Sequence, residues 1–535
     1  MYGRFVLGLR SFLRKRITLE QAQEIVRQRL AERGQNFLRL AERGVYGHPG
    51  SPYLPLLKLA GCELGDLQAM VRSRGLEDTL QTLHQAGVYV AFEEFKGRAT
   101  IVRDGRVFAV QAHDFDNPYL QRSYHGTSGG STGAGTRVEI DLNHISANAA
   151  ESLIGQHALG ILGVPTAIRF GALPDPTGVM MLLRGAQMGN VARRWFAPVT
   201  AQNLRPMLKY RLATYTIVTL ARAFGAHLPR PELLPVDRSE VIARWAASMV
   251  RAHGACLVRG NVSMMQRIGM AAREQGIDLH GVTFMGGGEP PTAAKVREMT
   301  SSGARWVPVY AFTEAGRLGL GCGNPIDGTD VHLMRDLIAL IQVPHLVQGT
   351  DVTVPAFCFS SLLSTAPKIL LNVEVDDYGI VEQRECGCPL GELGYTDHLR
   401  QIHSYSKLTG EGVTLLGSEM LHILQAVLPA RFGGNSLDYQ LLEEEDQQGF
   451  TRLSIVVSPR VQIDEEAAVV QTVLEALGQG SASAELTRAI WSQSETLRVR
   501  RQEPIWTARG KLLPIRFQHR SDTIEPRNPA GETRG

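Results

Sequence analysis

Hydrophobic and polar positions along the chain follow two periods, one typical of helices and one typical of strands. Residues 17–45 have helical spacing. Four apolar residues share one side of that predicted helix: Ile25, Leu30, Phe37 and Leu40. Residues 88–111 are rich in strand formers and are broken by Gly or Asp-Gly turns, which predicts strands. Residues 255–312 alternate short apolar runs with helical ones, so we predict βαβ units and a largely parallel sheet covered on both faces.

The rest of the chain adds smaller parts to this sheet. Residues 350–382 read as a smaller antiparallel, β-rich part, and a compact mixture of helices and strands follows residue 400. We therefore predict an α/β fold with a large N-terminal domain of mixed and parallel sheets covered by helices, a β-rich subdomain, and a small mobile α+β C-terminal domain. The expected divisions are an extension at 1–115, a core at 116–400, a C-terminal domain at 401–520 and a tail at 521–535.

Composition excludes several classes of protein. The 535 residues are 44% hydrophobic and 20% charged, as in globular proteins, and a chain of this length is expected to form more than one domain. A net charge of +3 favours neither nucleic acid nor a membrane as a partner. No apolar run reaches the ~18 residues of a membrane span, and the N-terminus lacks a signal-peptide pattern. We expect a cytoplasmic protein.

A glycine-rich run, "YHGTSGGSTGAGTR" at 124–137, is the first candidate for chemistry. Glycines let backbone N–H groups approach an anion, and hydroxyls add donors, as in loops that hold phosphates. The run lacks the Gly-Lys-Ser/Thr of a Walker loop and the spacing of a dinucleotide fingerprint. Alone, it would more often be a plain surface loop.

Four later segments change that interpretation. In order along the chain they are "FMGGGEPPTAAKVREM", "VYAFTEAG", "VEVDDYG" and "TARGKLLPIR". Together with the glycine-rich run, they resemble the five motifs of the adenylate-forming superfamily. Within it the chain is most similar to phenylacetate-CoA ligases, whose "Gly-Leu-His-x-x-x-Asp" segment resembles "DVHLMRD" here.

The resemblance implies an ATP-dependent ligase that uses Mg²⁺, forms an acyl-adenylate from a small carboxylic acid, and passes the acyl group to coenzyme A. It implies an aryl or arylacetic acid, and a homodimer is possible. An alternative keeps adenylation and changes the acceptor to a carrier-protein thiol, an amine or another nucleophile. A second alternative is a relative that binds a nucleotide without catalysis.

The resemblance also assigns roles to residues. Lys511 would contact the acyl phosphate, Glu314 would hold Mg²⁺, and Thr313 would lie beside the α-phosphate. The implied nucleotide-binding residues are Ser128, Gly130, Ser131, Thr132, Gly133, Arg137, Gly288, Glu289, Pro290, Tyr310, Asp377 and Arg400. Among these, Tyr310 would stack near adenine and Asp377 would accept the ribose hydroxyls.

Three features depart from the family pattern or leave the assignment open. Ala134 and Gly135 stand where the family has Lys and Pro after the phosphate loop, and Arg137 is a candidate substitute. Asp376 precedes Asp377, so the ribose contact could shift by one residue. The family's hinge motif is absent, which leaves either Arg400 or Lys407 as the hinge residue.

Cysteine spacing indicates a metal site. Six cysteines in a chain of this length do not make a disulfide framework. A tetrahedral Cys₃His zinc site is expected from Cys322, His332, Cys386 and Cys388. His398 and His403 are alternative ligands, and buried reduced thiols are the alternative to zinc.

Overall fold

The computed structural model describes most of the chain. The described residues are 2–120, 124–127, 137–173, 175–198, 208–346, 353–404, 407–410, 413–416, 420, 422–477, 491, 494–505 and 514–517.

Helices form the N-terminal part and cover the sheets. They are α1 (Tyr2–Arg14), α2 (Leu19–Ala31), α3 (Arg33–Ala41), α4 (Leu54–Leu59), α5 (Leu64–Arg74), α6 (Leu76–Gln85), α7 (Phe92–Phe95), α8 (Leu142–Ala147), α9 (Ala149–Ala158), α10 (Thr177–Gln187), α11 (Leu208–Ala223), α12 (Glu240–His253), α13 (Val262–Glu274), α14 (Ala293–Thr300), α15 (Pro389–Glu392), α16 (Leu428–Phe432) and α17 (Glu466–Leu477). Two π-helical turns occupy Glu42–Tyr46 and Ile423–Val427. No helix among the described residues is long and apolar enough to cross a membrane.

Strands follow the predicted alternation. They are β1 (Ile101–Arg103), β2 (Arg106–Phe108), β3 (Tyr124–Thr127), β4 (Arg137–Ile140), β5 (Thr166–Arg169), β6 (Arg194–Ala197), β7 (Pro231–Leu233), β8 (Cys256–Asn261), β9 (Val282–Gly287), β10 (Arg305–Phe312), β11 (Gly316–Gly321), β12 (Val331–Leu333), β13 (Ile338–Leu346), β14 (Thr353–Ser361), β15 (Val373–Gln383), β16 (Asp397–Ser404), β17 (Lys407–Gly410), β18 (Val413–Leu416), β19 (Tyr439–Glu445), β20 (Thr451–Val457), β21 (Leu497–Arg501) and β22 (Ile515–Phe517).

One sheet of twelve strands carries most of the molecule. Its order is β13-β14-β15-β16-β12-β11-β10-β9-β8-β5-β6-β7. The half from β7 to β10 is parallel, which confirms the predicted βαβ units. The half from β11 to β13 is antiparallel, as expected for β14 and β15. The β-rich part therefore extends the parallel sheet through the β10–β11 hairpin.

The N-terminal helices pack on both halves of this sheet. Thr18 begins α2 with a capping box, since its hydroxyl accepts from Gln21 N and the Gln21 side chain accepts from Thr18 N. Apolar residues of α2 pack against α9 and the parallel strands. Residues of α3 to α7 pack against β13, β14 and β15.

The prediction of strand for residues 88–95 is wrong in part. Val90 does bond to the neighbouring strand: its N donates to Asn372 O, 3.1 Å away. Phe92–Phe95 instead form α7, because Glu94 accepts a hydrogen bond from Ala91 N at 2.8 Å and starts a helical turn. Phe92 and Phe95 are spaced by three residues and are both buried, as a helical turn allows.

The C-terminal part is the expected α+β unit. Its sheet has the order β21-β20-β19-β22, and α17 packs on β21. β19 and β20 form an antiparallel hairpin, whereas β21 and β22 are parallel to their neighbours. Its apolar residues join a core cluster with the parallel strands of the large sheet.

Candidate functional site

The β10–β11 hairpin gathers three of the predicted site residues. Tyr310 lies near the end of β10, and Thr313 and Glu314 form the turn before β11. The Tyr310 hydroxyl donates to Asp377 Oδ2 at 2.8 Å. Asp377 is on β15, so the large sheet brings together two motifs that are far apart in the sequence.

Asp377 is held by two hydroxyl groups. Besides Tyr310, Ser404 donates its hydroxyl to Asp377 Oδ1 at 2.5 Å. Burial, followed by the charge and the hydrogen bond of Asp377, raises the pKa of Tyr310 well above its usual value, so Tyr310 stays a donor. Asp376 is fully buried and has a positive φ of 69°, a conformation that few residues other than glycine adopt. These contacts bring Asp377 into the same cluster as Tyr310.

Glu314 pairs with a lysine that the sequence patterns did not reveal. Lys96 lies directly after α7, and its ammonium donates a hydrogen bond to Glu314 Oε1. Burial alone would raise the pKa of Glu314, but the charge and hydrogen bond of Lys96, with the charge of Lys368, lower it. Glu314 is therefore an ionised, buried carboxylate. The N-terminal extension thus contributes directly to the candidate site.

Glu289 follows the carboxyl end of β9, the parallel neighbour of β10. Its carboxylate accepts from Ser263 N at 3.2 Å and from the Ser263 hydroxyl, near the start of α13. Lys295 Nζ is 3.4 Å from Glu289 Oε2 and donates to Thr451 Oγ1 at 3.0 Å. Gly288 and Pro290 flank this carboxylate, and Gly288 has a positive φ of 84°. The buried Glu289 therefore connects the helix start to the C-terminal hairpin.

Arg400 is not brought to the Tyr310–Asp377 cluster. Its guanidinium donates to both carboxylate oxygens of Glu382, at 3.0 and 3.1 Å, and to Asp327 Oδ2 at 3.0 Å. The hydrogen bonds and charges of these carboxylates raise its pKa despite partial burial. In this arrangement each of the three guanidinium nitrogens donates one hydrogen bond to a protein carboxylate.

Several predicted residues lie outside the described part of the chain. They are Ser128, Gly130, Ser131, Thr132, Gly133 and Lys511. The described backbone does define the ends of the glycine-rich run: β3 and β4 form an antiparallel hairpin in which Thr127 pairs with Arg137. The side chain of Arg137 is also outside the description. After β4, Asp141 caps α8 by accepting from Asn143 N and His144 N.

The predicted metal ligands do converge. One ligand atom from each of Cys322, His332, Cys386 and His398 lies within 4.8 Å of the other three. Cys388 Sγ is 3.1 Å from His332 Nε2 and 4.0 Å from Cys322 Sγ. All but Cys386 are buried. The cluster therefore contains the four predicted ligands and the alternative His398.

The surroundings of this cluster suit a metal. His332 Nδ1 lies 2.6 Å from Tyr395 O, and its Nε2 faces Cys388 Sγ at 3.1 Å. His398 Nδ1 lies 2.7 Å from Asp330 Oδ1. His398 Nε2 is buried without a hydrogen-bond partner among the described residues. Thiolates and imidazoles at these separations are the ligands that zinc prefers. His403, the other alternative, instead contacts the Tyr378 ring at a centroid distance of 5.8 Å.

Comparisons with known proteins agree with this architecture. No protein-family model and no curated protein matches the chain. Among solved structures it is similar to 2-hydroxyisobutyryl-CoA ligase in complex with 2-HIB-AMP and CoA: TM-score 0.53, 14% identity, 92% of this chain and 90% of that chain covered. An o-succinylbenzoate CoA synthetase from Bacillus subtilis (TM-score 0.42, 11% identity, 82% and 80% covered) and the anthranilate CoA ligase AuaEII (0.34, 13%, 81% and 74%) are less similar. The chain therefore has the fold of 2-hydroxyisobutyryl-CoA ligase.

Proposed function

We propose that this protein activates a small carboxylic acid as its acyl-adenylate and then transfers the acyl group to coenzyme A. The observation that carries the proposal is the hydrogen bond between Tyr310 and Asp377, which joins two sequence motifs next to the β10–β11 turn that carries Glu314. The fold shared with 2-hydroxyisobutyryl-CoA ligase supports it.

In the first half-reaction, a carboxylate oxygen of the acid attacks the α-phosphorus of ATP, and pyrophosphate leaves. Asp377 would accept hydrogen bonds from the ribose hydroxyls, since a carboxylate has room for several donors. Thr313 would face the α-phosphate, and the glycine-rich run, including Ser131, would hold the β- and γ-phosphates. Lys511 would neutralise charge on the reacting carboxylate and phosphate.

Mg²⁺ is the divalent cation that ATP chemistry of this type uses, and it would supply charge neutralisation at the phosphates. Glu314 fits it, because a buried ionised carboxylate is a hard oxygen ligand with one ammonium, that of Lys96, as its described ion-pair partner. Lys96 would turn from Glu314 towards the phosphates, and would supply the positive charge that Ala134 lacks.

In the second half-reaction, the thiol of coenzyme A loses its proton to water, its sulfur attacks the acyl carbon, and AMP leaves with the bonding electron pair of the anhydride. A carrier-protein thiol would react in the same way, which keeps that acceptor as the alternative. The cysteine–histidine cluster would hold zinc in a structural role, with Cys322, His332, Cys386 and Cys388 as ligands and His398 as the alternative donor.

The test is ATP–pyrophosphate exchange with a panel of acids, followed by AMP release with coenzyme A and with a carrier protein. We expect exchange that Glu314→Gln reduces by at least about 100-fold, as expected when a group that stabilises transition-state charge is lost. Glu298→Gln is the matched control, since Glu298 pairs with Arg273 at the surface. If none of the acids supports exchange, the proposal is rejected and a non-catalytic nucleotide-binding protein is favoured.

A further inference from the structure

The cysteine–histidine cluster offers more donor atoms than one zinc ion uses. Structural zinc sites are almost always four-coordinate. Five side chains converge here: Cys322, His332, Cys386, Cys388 and His398. Three of the five are thiols, and a thiol that is oxidised to a sulfenic acid condenses with a neighbouring thiol to a disulfide. The cluster therefore has a second chemistry besides metal binding.

Cys386 is the thiol of the cluster that solvent reaches. It is half-buried, whereas Cys322 and Cys388 are only 4% and 2% exposed. Susceptibility of a cysteine to oxidation follows its exposure. An oxidant from solution therefore meets Cys386 before it meets the other two sulfurs.

Cys322 is held within reach of Cys386. Their sulfurs lie at most 4.8 Å apart. Asn324 fastens the two segments to each other, because its backbone N donates to Cys322 Sγ at 3.3 Å and its side-chain amide donates to Cys386 O at 2.9 Å. Arg384, two residues before Cys386, donates to Asn324 O at 3.3 Å. A sulfenic acid on Cys386 therefore has a second thiol fixed beside it.

Cys388 is a poorer partner for Cys386. Only Gly387 separates the two cysteines, so a disulfide between them would close a ring over a single residue. The specific geometry of a disulfide fits such a small ring badly. Cys388 Sγ instead faces His332 Nε2 at 3.1 Å. We therefore expect Cys388 to stay a thiol while the other two cysteines react.

Two strands join the cluster to the candidate site. Cys322 directly follows β11, and Glu314 lies two residues before that strand. His398 is on β16, which ends at Ser404, and the Ser404 hydroxyl donates to Asp377. β12 pairs with both strands. The six residues of β11 span about 20 Å, so the cluster influences the site through these strands rather than by contact.

We propose that hydrogen peroxide joins Cys322 and Cys386 by a disulfide, which releases zinc from the cluster and lowers activity at the candidate site. The Cys386 sulfur attacks one peroxide oxygen, the O–O bond breaks, and water leaves a sulfenic acid behind. The Cys322 sulfur then attacks the sulfenic sulfur, the S–O bond breaks, and a second water leaves. The two thiol protons end in the two waters, and peroxide gains the two electrons that the thiols lose.

The disulfide removes two of the proposed zinc ligands, which is why the metal leaves. Thiolates bind zinc, whereas a disulfide sulfur carries no charge for the metal. The loss of activity rests on the proposed function; the disulfide and the release of zinc do not.

The test treats the zinc-loaded, full-length protein with hydrogen peroxide and follows zinc with a chromogenic chelator. We expect each chain to lose two of its six thiols and to release its zinc, and dithiothreitol followed by Zn²⁺ should restore both. Trypsin should yield peptide 318–335 linked to peptide 385–400. Cys358→Ser is the control and should react as wild type, because Cys358 is buried in β14 outside the cluster.

Two variants assign the bond, because Cys386 and Cys388 share one tryptic peptide. Each substitution removes one ligand of the proposed zinc site, so a difference between them comes from the thiol pair. Cys388→Ser should still form the linked peptides, and Cys386→Ser should not. A link that persists in Cys386→Ser, oxidation of Cys386 without a link, or no loss of thiols would overturn the inference.

ATP–pyrophosphate exchange separates this inference from the proposed function. The oxidised protein should exchange at least about tenfold more slowly, as expected for coupling between distant sites, and dithiothreitol with Zn²⁺ should restore the rate. Exchange that the disulfide leaves unchanged would keep the ligase and overturn the coupling. The disulfide and zinc release, without exchange for any acid, would keep the oxidation site and reject the ligase.

Discussion

At the scale of single residues, the ion pair with Lys96 holds Glu314, the carboxylate proposed to bind Mg²⁺. Lys96 also lies over the Phe92 and Phe95 rings, with its ammonium 5.5 and 5.7 Å from their centroids. This combination of ion pair and ring contacts holds a largely buried ammonium beside Glu314. In the proposed function, Lys96 would link the N-terminal extension to nucleotide binding.

Lys96→Met tests this link. It should lower the free energy of unfolding by about 3 kcal/mol, because it leaves Glu314 as an uncompensated buried charge. Mg²⁺ with ATP should restore part of that loss, since the metal would take over the charge. Denaturant unfolding with and without MgATP measures both effects. Arg98→Met is the control, because Arg98 pairs with the half-exposed Glu93 at 3.6 Å. Equal loss with and without MgATP would contradict the role of Lys96 at the nucleotide.

His144 gives a pH dependence with a definite sign. Burial, and secondly the charge of Arg184, lower its pKa to about 4, so it is neutral in the folded protein. The unfolded protein binds a proton near the ordinary pKa of 6.5. Between pH 4 and 6.5 the unfolded state thus holds more protons, and stability must rise with pH.

We expect His144 to contribute about 2 kcal/mol more stability at pH 7 than at pH 5. His144→Gln should remove that part of the pH dependence, and His113→Gln should not, because the His113 side chain is 69% exposed. Urea unfolding at the two pH values gives the difference. An unchanged slope in His144→Gln would mean that other groups set the pH dependence.

At the scale of elements, the sequence predicted whether a segment is a helix or a strand better than it predicted which elements lie next to each other. Period and turn residues predicted β8, α13, β9, α14 and β10, since each is long enough to show its own pattern. In the strand predicted at 88–95, the last four residues instead form α7 through the Glu94–Ala91 bond, which involves only one side chain. Motif order predicted Tyr310 and Asp377, but their contact depends on the sheet order, which no local pattern contains.

The Lys96–Glu314 pair could not be predicted for the same reason. Lys96 meets Glu314 across 218 residues of sequence, and nothing in "EEFKGR" distinguishes it from a surface lysine. Cysteine spacing was more informative, because Cys386 and Cys388 are close in sequence and their chemistry is specific.

The cysteine–histidine cluster ties elements of the antiparallel half together, which gives the next prediction. The hydrogen bond from Cys322 lowers the pKa of Cys388 against the opposing effect of burial, and a lowered pKa favours the thiolate that binds zinc. We expect about one zinc per chain by elemental analysis. Cys388→Ser should lose it and melt at a lower temperature. Cys358→Ser is the control, because Cys358 is buried in β14 outside the cluster.

Metal-free protein that melts as wild type would reject the zinc site. Full zinc content in Cys388→Ser would instead assign the fourth ligand to His398. In that case His398→Ala should lose the zinc. The two variants therefore distinguish the two ligand sets.

At the scale of the whole molecule, the turn between β19 and β20 docks the C-terminal unit on the large one. The Gln266 side chain donates to Gln448 O, and Arg267 lies over the Phe450 ring, 4.5 Å from its centroid. Lys295 reaches Thr451 in the same hairpin. Gly449 sits against α14, where an added Cβ would lie 3.1 Å from Ala294 Cβ. These contacts fix one arrangement of the unit that carries the segment with Lys511.

Gly449→Ala should weaken this docking and leave each unit folded. Gly449 has a φ of 83°, so alanine is strained there by about 1 kcal/mol and also meets α14. Gly433→Ala is the matched control, because Gly433 has a φ of 81° with open space around its Cβ. Hydrogen–deuterium exchange should increase at both α13 and the β19–β20 turn in Gly449→Ala alone. If Gly433→Ala causes the same increase, backbone strain rather than docking explains it.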